Sequence, residues 1–261
     1  MTNVLIFSGG RGSISLIASL KKIKKIKSIS SIVNTYDDGK SSGVLRKEFN
    51  MPGPSDIRKI QQIHLNNKIR NYQLYKKIFD KRITLKFNTF ISKLDVYLKK
   101  NANNLFGIQI KNKKLNQNIK KYLKIIHKKI SKKRINTNDL SLINIIYAGA
   151  YFYHKKDINK SIKRLSNLFE IKEKIYSCGD KNLFLSGINN SNKVFKSEAE
   201  IVEQRSNVNM KEIFLTKKQL NLNNLSNKKK ISQIKLNSTN DIISMEAKQL
   251  IQKSDIIIYS P

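Results

Sequence analysis

Asp37 and Asp38, in Tyr36-Asp37-Asp38-Gly39-Lys40-Ser41-Ser42-Gly43, are the residues of this chain best suited to chemistry. Adjacent carboxylates beside a phosphate can hold Mg²⁺, which takes one or two carboxylates and completes its shell with phosphate oxygens and water. An acidic residue closing the second strand of a dinucleotide fold can instead accept ribose hydroxyls. Asp-Asp-Gly also suits a solvated tight turn, but the run of Ser41, Ser42 and Gly43 behind it favours a functional loop. A second polar stretch, Ser8-Gly9-Gly10-Arg11-Gly12-Ser13, follows four apolar residues and precedes Ile14, Ile17 and Leu20 at helical spacing. Such a strand–turn–helix aims unpaired N–H groups and a positive dipole end at the turn, which suits a phosphate. The glycine pattern is incomplete as a dinucleotide fingerprint and lacks the Lys-Ser/Thr of a Walker loop. Arg58 is the third feature. It sits in the first turn of a helix capped by Ser55 or Asp56, where the dipole favours acids. Pairing with Asp37, Asp38 or a ligand phosphate explains it better than a surface position does.

Two strands and the helix between them must position these groups. Val4 to Phe7 reads as a buried strand, Ser13 as the cap of the first helix, and Ser31 to Thr35 as the second strand. Strand, helix, strand makes a βαβ unit with parallel strands. Ligands of open α/β sheets bind beyond the carboxyl ends of the strands, so both polar turns should face one cleft.

The chain has 261 residues, with 52 Lys+Arg against 18 Asp+Glu, a net charge of +34. That excess points to polyanionic partners. However, it is almost all Lys, distributed along the chain with Asn and Ile, as codon bias toward A/T would produce, and base-reading surfaces prefer Arg. Nucleic acid is therefore a disfavoured partner. The lone Cys178 excludes an internal disulfide and fits a reducing, cytoplasmic location. No apolar run is long enough for a membrane span.

The remaining chain is expected to form one α/β domain over 1–261: a βαβ phosphate-binding core in 1–59, a helical insertion in 60–136, and a β-rich subdomain in 174–216. A return helix and a buried strand, Asp255 to Tyr259, complete it in 239–261. Asn138 to Tyr153 reads as one apolar helix in which Asn144 either braces backbone or reaches the cleft. Residues 217–238 read as a polar loop, and Ala199 to Val202 as a strand with Glu198 facing solvent. His64 and His127 stand alone and read as packing or surface residues. Homo-oligomerisation is left open by the sequence. The chain stops at Pro261, where a functional loop is expected after the last strand, so a truncated C-terminus is expected.

Taken together, Gly9-Gly10-Arg11-Gly12-Ser13, Tyr36-Asp37-Asp38-Gly39-Lys40-Ser41-Ser42-Gly43 with Arg46, and Gly53-Pro54-Ser55-Asp56-Ile57-Arg58-Lys59 resemble the superfamily of 2-phospho-L-lactate transferases and related bacterial UDP-sugar-binding proteins. Leu142-Ile143-Asn144-Ile145, Glu198-Ala199-Glu200-Ile201-Val202 and Asp255-Ile256-Ile257-Ile258-Tyr259 match more weakly. The sequence departs from the pattern at Lys40, Ile143 and Ser260, where relatives carry glycine. The resemblance implies a Rossmann-like, mostly parallel sheet with a helical insertion and a small β-rich subdomain. It also implies a nucleoside diphosphate or nucleotide sugar as ligand, and Mg²⁺-assisted transfer of a phosphate-linked group to a hydroxyl acceptor. A non-catalytic nucleotide-sugar-binding regulator of envelope or carbon metabolism is the alternative. By that resemblance Gly9, Gly10, Gly12 and Ser13 cradle phosphates, and Asp37 and Asp38 hold metal or polarise the acceptor. Ser41, Ser42, Arg46, Asp56 and Arg58 shape the remainder, with Asn144 facing it.

Overall fold

The structure, a computed structural model, describes residues 1–9, 12–203 and 209–260, with the Lys40 side chain also outside the description. β1 (Thr2–Ser8) turns into α1 (Ser13–Leu20) and returns as β2 (Ile26–Val33), followed by α2 (Lys40–Phe49) and α3 (Ser55–Ile63). Next come α4 (Tyr72–Asp80), β3 (Arg82–Thr84), α5 (Phe87–Leu98), a small hairpin of β4 (Asn104–Leu105) and β5 (Ile108–Gln109), and α6 (Lys113–Ile130). β6 (Asn138–Ser141) leads into α7 (Leu142–Tyr153), then α8 (Ile158–Leu168) and β7 (Ile175–Ser177). The last part holds β8 (Phe184–Asn189), β9 (Val194–Phe195), α9 (Glu198–Glu203), β10 (Met210–Thr216), α10 (Asn227–Leu236), β11 (Ser238–Thr239), α11 (Met245–Gln252) and β12 (Ile256–Ser260).

The central sheet is parallel, in the order β12-β1-β2-β7. Ser8 aligns with Val33, and Asn34 N–H donates to Ser8 C=O at 3.0 Å, so both polar turns leave the same edge. Parallel strands buried on both faces need continuous apolar runs, and β1 supplies one: Val4, Leu5 and Ile6 are all buried. One face joins the main core, which runs through α3, the apolar α7 and the inward stripe of α6. The other face is smaller: Leu5 and Ile32 pack against Ala247 and Leu250 of α11. α7 can be so apolar because α6, α8 and α4 surround it, and ten of its twelve residues are buried. Its Gly149 lets α6 pass close by, since a Cβ there would lie 2.2 Å from Tyr122 O.

Several expectations need correction. β2 starts at Ile26, earlier than expected, because Lys27 and Ser28 project to solvent while the backbone stays paired with β1. β7 belongs to the parallel sheet instead of the β-rich subdomain, whose antiparallel sheet runs β11-β10-β8-β9. Ala199 to Val202 lies in helix α9, not in a strand, and residues 227–236 of the expected loop form α10, capped by the Ser226 hydroxyl. Residues 138–141 pair with β3 before α7 begins. Among the described residues β12 pairs with β1 alone, and Ile256, Ile257 and Tyr259 of the apolar run that predicted burial are exposed. Among the described residues, no helix is long and apolar enough to cross a membrane.

Candidate functional site

The site lies at the carboxyl ends of β1 and β2. β1 delivers Gly9, which is exposed, while Gly10 and Arg11 lie outside the described residues. Gly12, not Ser13, caps α1, with a φ of −59° that any residue adopts. No side chain caps that helix and no acid occupies its first turn, so its leading N–H groups keep their affinity for an anion. The Ser13 hydroxyl is buried beneath the turn, where it accepts from Ser8 Oγ at 2.6 Å.

β2 delivers Asp37 and Asp38. Gly53 packs against this segment: its N–H donates to Thr35 C=O at 2.8 Å, and a Cβ there would sit 2.7 Å from Asp37 O. Glycine at 53 thus permits the close approach that brings α3, with Asp56 and Arg58, to the Asp pair. Asp37 Oδ2 is buried without a hydrogen-bond partner, and so is Arg58 Nε. Buried polar groups are ordinarily satisfied. Asp37 is among the charges that act on Arg58, so the two unpaired atoms belong to one charged cluster. Burial and the nearby Arg82 disfavour the charge on Arg58, opposed by Asp37 and Asp56.

Behind this surface lies a buried hydroxyl network. Ser42 Oγ donates to Ser55 Oγ at 2.6 Å, and Asn144 Nδ2 donates to Ser41 Oγ at 3.1 Å and Ser55 Oγ at 3.0 Å. Ser41 Oγ also accepts from Ser141 N–H at 3.0 Å. Asn144 is fully enclosed and therefore braces α2, α3 and α7; its Oδ1 and the Ser141 hydroxyl remain without partners. Arg46 is likewise enclosed. Its Nε donates to Asn182 Oδ1 at 2.9 Å, its terminal nitrogens donate to the carbonyls of Tyr36 and Leu183, and its guanidinium lies 4.7 Å from the Phe184 ring centre. Of the residues expected here, Asp37, Asp38, Asp56 and Arg58 converge, whereas Ser13, Ser41, Ser42, Arg46 and Asn144 form the frame that holds them.

Sequence reasoning missed Glu198. Helix α9 sets its carboxyl against Asp38, and Ala199 N–H donates to Asp38 Oδ1 at 3.0 Å. Burial, reinforced by Asp37, Asp38 and Asp56, pushes the Glu198 carboxyl up to about 7. Asp56, raised chiefly by burial and held by Lys59 at 2.7 Å, is pushed up to about 6. The only hint of Glu198 in the chain was its place in the weakly matching Glu198-Ala199-Glu200 run.

Among the described residues, no group of three His, Cys, Asp or Glu side chains is arranged as a metal cage. The carboxylates available to a hard cation are those of Asp37 and Asp38, and Mg²⁺ needs only one or two beside phosphate oxygens. Burial pushes the Cys178 thiol up, which disfavours the thiolate a nucleophile needs; it lies 3.9 Å from Thr35 Oγ1 and also near the Tyr36 side chain. His64 is a packing residue, and His127 pairs with Asp95 at 2.9 Å.

Comparisons with known proteins agree with this architecture. Over 98% of the chain, the structure matches a crystal structure of a UPF0052 family protein from Bacillus halodurans, with a TM-score of 0.59 and 21% identity. A second crystal structure from that organism matches with a TM-score of 0.58. The chain spans 58% of the length of the first of these and 57% of the second. A 58-residue stretch is 43% identical to a gluconeogenesis factor of Halalkalibacterium halodurans, covering 22% of this chain and 17% of that protein. The family model for the 2-phospho-L-lactate transferase CofD matches residues 4–261, so this chain belongs to the CofD family.

Proposed function

We propose that the protein binds a nucleoside diphosphate or nucleotide sugar with Mg²⁺ and transfers a phosphate-linked group from it to a hydroxyl acceptor. The observation that carries this reading is the pair of orphaned buried atoms, Asp37 Oδ2 and Arg58 Nε, beside an uncapped helix N-terminus. The N–H groups at the start of α1 receive the diphosphate. Arg58 Nε–H donates to a phosphate oxygen, and Asp37, through its unpaired Oδ2, supplies a carboxylate for Mg²⁺. When bound, Mg²⁺ neutralises phosphate charge that builds as the leaving group departs. The acceptor oxygen forms the new P–O bond, the bond to the departing nucleoside monophosphate breaks, and Asp38 accepts the hydroxyl proton. Glu198, hydrogen-bonded to Asp38, helps fix the orientation of that carboxylate. Fixed dipoles and charges, present before the reaction, make up the protein's contribution.

Calorimetric titration with uridine and guanosine diphosphates, with and without Mg²⁺, tests the reading. Mg²⁺-dependent binding that is lost in Asp37→Asn and Arg58→Met is expected; binding indifferent to Mg²⁺ and to both substitutions overturns it.

A second reading, a regulator that binds nucleotide sugar without chemistry, is supported by the 43% identity to a gluconeogenesis factor over 58 residues. It keeps the same phosphate cradle. Binding with no release of nucleoside monophosphate across a panel of hydroxyl acceptors would favour it.

A further inference from the structure

At the opposite edge of the sheet, a cavity of about 640 Å³ opens where the strands begin. It is bounded by Asn3 of β1, the first half of β2, the segment before β7, and the ends of α1 and α11. Five lysines line it (Lys21, Lys27, Lys172, Lys174 and Lys253) against one carboxylate, Glu173. Its floor is apolar, from Leu20, Ile23, Ile26, Ile29 and Leu250.

Helix ends explain only part of this charge. Each helix C-terminus carries about half a negative charge, so α1 and α11 together account for about one. Lys21 and Lys253 are the C-cap residues of those helices and answer it. Lys21 is further anchored by donating to Ile63 C=O at 2.7 Å. Lys27, Lys172 and Lys174 remain, since the lysine that Glu173 attracts is Lys21. That carboxylate is itself held 3.3 Å from the buried His64 Nδ1. The unanswered excess is positive, and it borders an apolar surface.

We infer that this cavity binds a small phosphorylated ligand with an apolar body, its phosphate among Lys27, Lys172 and Lys174 and its apolar part against Ile23, Ile26 and Leu250. It is separate from the Asp37–Arg58 site, being at the other end of the strands, and does not depend on the function proposed there.

Decyl phosphate, kept below its micelle concentration, is the probe, with inorganic phosphate and decanol as partial ligands. Calorimetry is expected to show one site per chain for decyl phosphate, at least tenfold tighter than for either partial ligand, and weakening as salt rises. Lys27→Ala/Lys172→Ala/Lys174→Ala should weaken it at least tenfold, and Ile23→Ser should weaken decyl phosphate while leaving inorganic phosphate unchanged. All these positions are solvent-exposed, and an unchanged melting temperature confirms folding. Saturating uridine diphosphate with Mg²⁺ should not displace the probe. Wild-type affinity in the triple variant, displacement by the nucleotide, or binding only to vesicles containing phosphatidic acid would each overturn the inference.

Discussion

Replacing Arg46 with Met separates its role as a frame from a role in holding ligand. Its guanidinium is almost fully enclosed and donates to Leu183 C=O in a buried setting and to Tyr36 C=O in a half-buried one. Methionine fills much of the volume but donates nothing. Leaving a buried acceptor unpaired costs about 1–3 kcal/mol; we assign about 2 kcal/mol to Leu183 O and about 1 kcal/mol to Tyr36 O on that scale. Losing the contact over Phe184 adds about 1 kcal/mol. The total is about 4 kcal/mol, or a melting temperature lower by about 10 °C for a chain of this size. Urea denaturation of Arg46→Met beside wild type measures it, with Arg46→Lys as the intermediate case because one ammonium can serve only one of the two carbonyls well. A loss below about 1 kcal/mol, together with loss of nucleotide binding, would show that the guanidinium serves ligand and not the joint between β2 and residues 182–184.

Asp56 makes stability depend on pH. Its folded value near 6 lies above the ordinary carboxylate value of 3.8, so the stability it contributes is complete below about pH 4 and is lost as pH rises to about 6. The difference is about 3 kcal/mol, and denaturation midpoints of Asp56→Asn should lack that slope; an identical slope refutes the assignment. Asn144→Ala should destabilise by about 2 kcal/mol, since it strips donors from two buried hydroxyls, and differential scanning calorimetry will read it. Gly149→Ala forces a Cβ to 2.2 Å from Tyr122 O and should cost about 3 kcal/mol as α6 and α7 separate; wild-type melting would contradict that crossing. Glu198→Gln should remove any titration near pH 7 from Mg²⁺-dependent nucleotide affinity, whereas a persistent inflection there would assign it to another group.

The first two strands and their turns were legible because a four-residue apolar run and two polar, glycine-bearing turns are local signals. The proximity of Asp37 and Asp56 to Arg58 was legible too, since these residues share short sequence windows. Glu198 was not, since its meeting with Asp38 needs the β8–β10 sheet to fold back over a distance of 160 residues. The resemblance put Arg46 among the residues that shape the site, because a motif match does not say which carbonyls enclose a guanidinium. Three-residue β7 carries too little pattern to announce a parallel partner. The isoleucines of β12 read as interior because periodicity cannot tell how many neighbours a strand will have.

The serine and asparagine knot joining α2, α3 and α7 also governs how the cleft can adapt. Sliding any one of these helices would break several enclosed hydrogen bonds at once, so they behave as an anvil. Asp38, by contrast, meets α9 through the Ala199 N–H bond and its carboxyl contact with Glu198. Arg46 fastens the start of the antiparallel sheet to the same anvil, through Asn182, Leu183 and Phe184, so the cleft floor and the sheet that borders it are joined at two places.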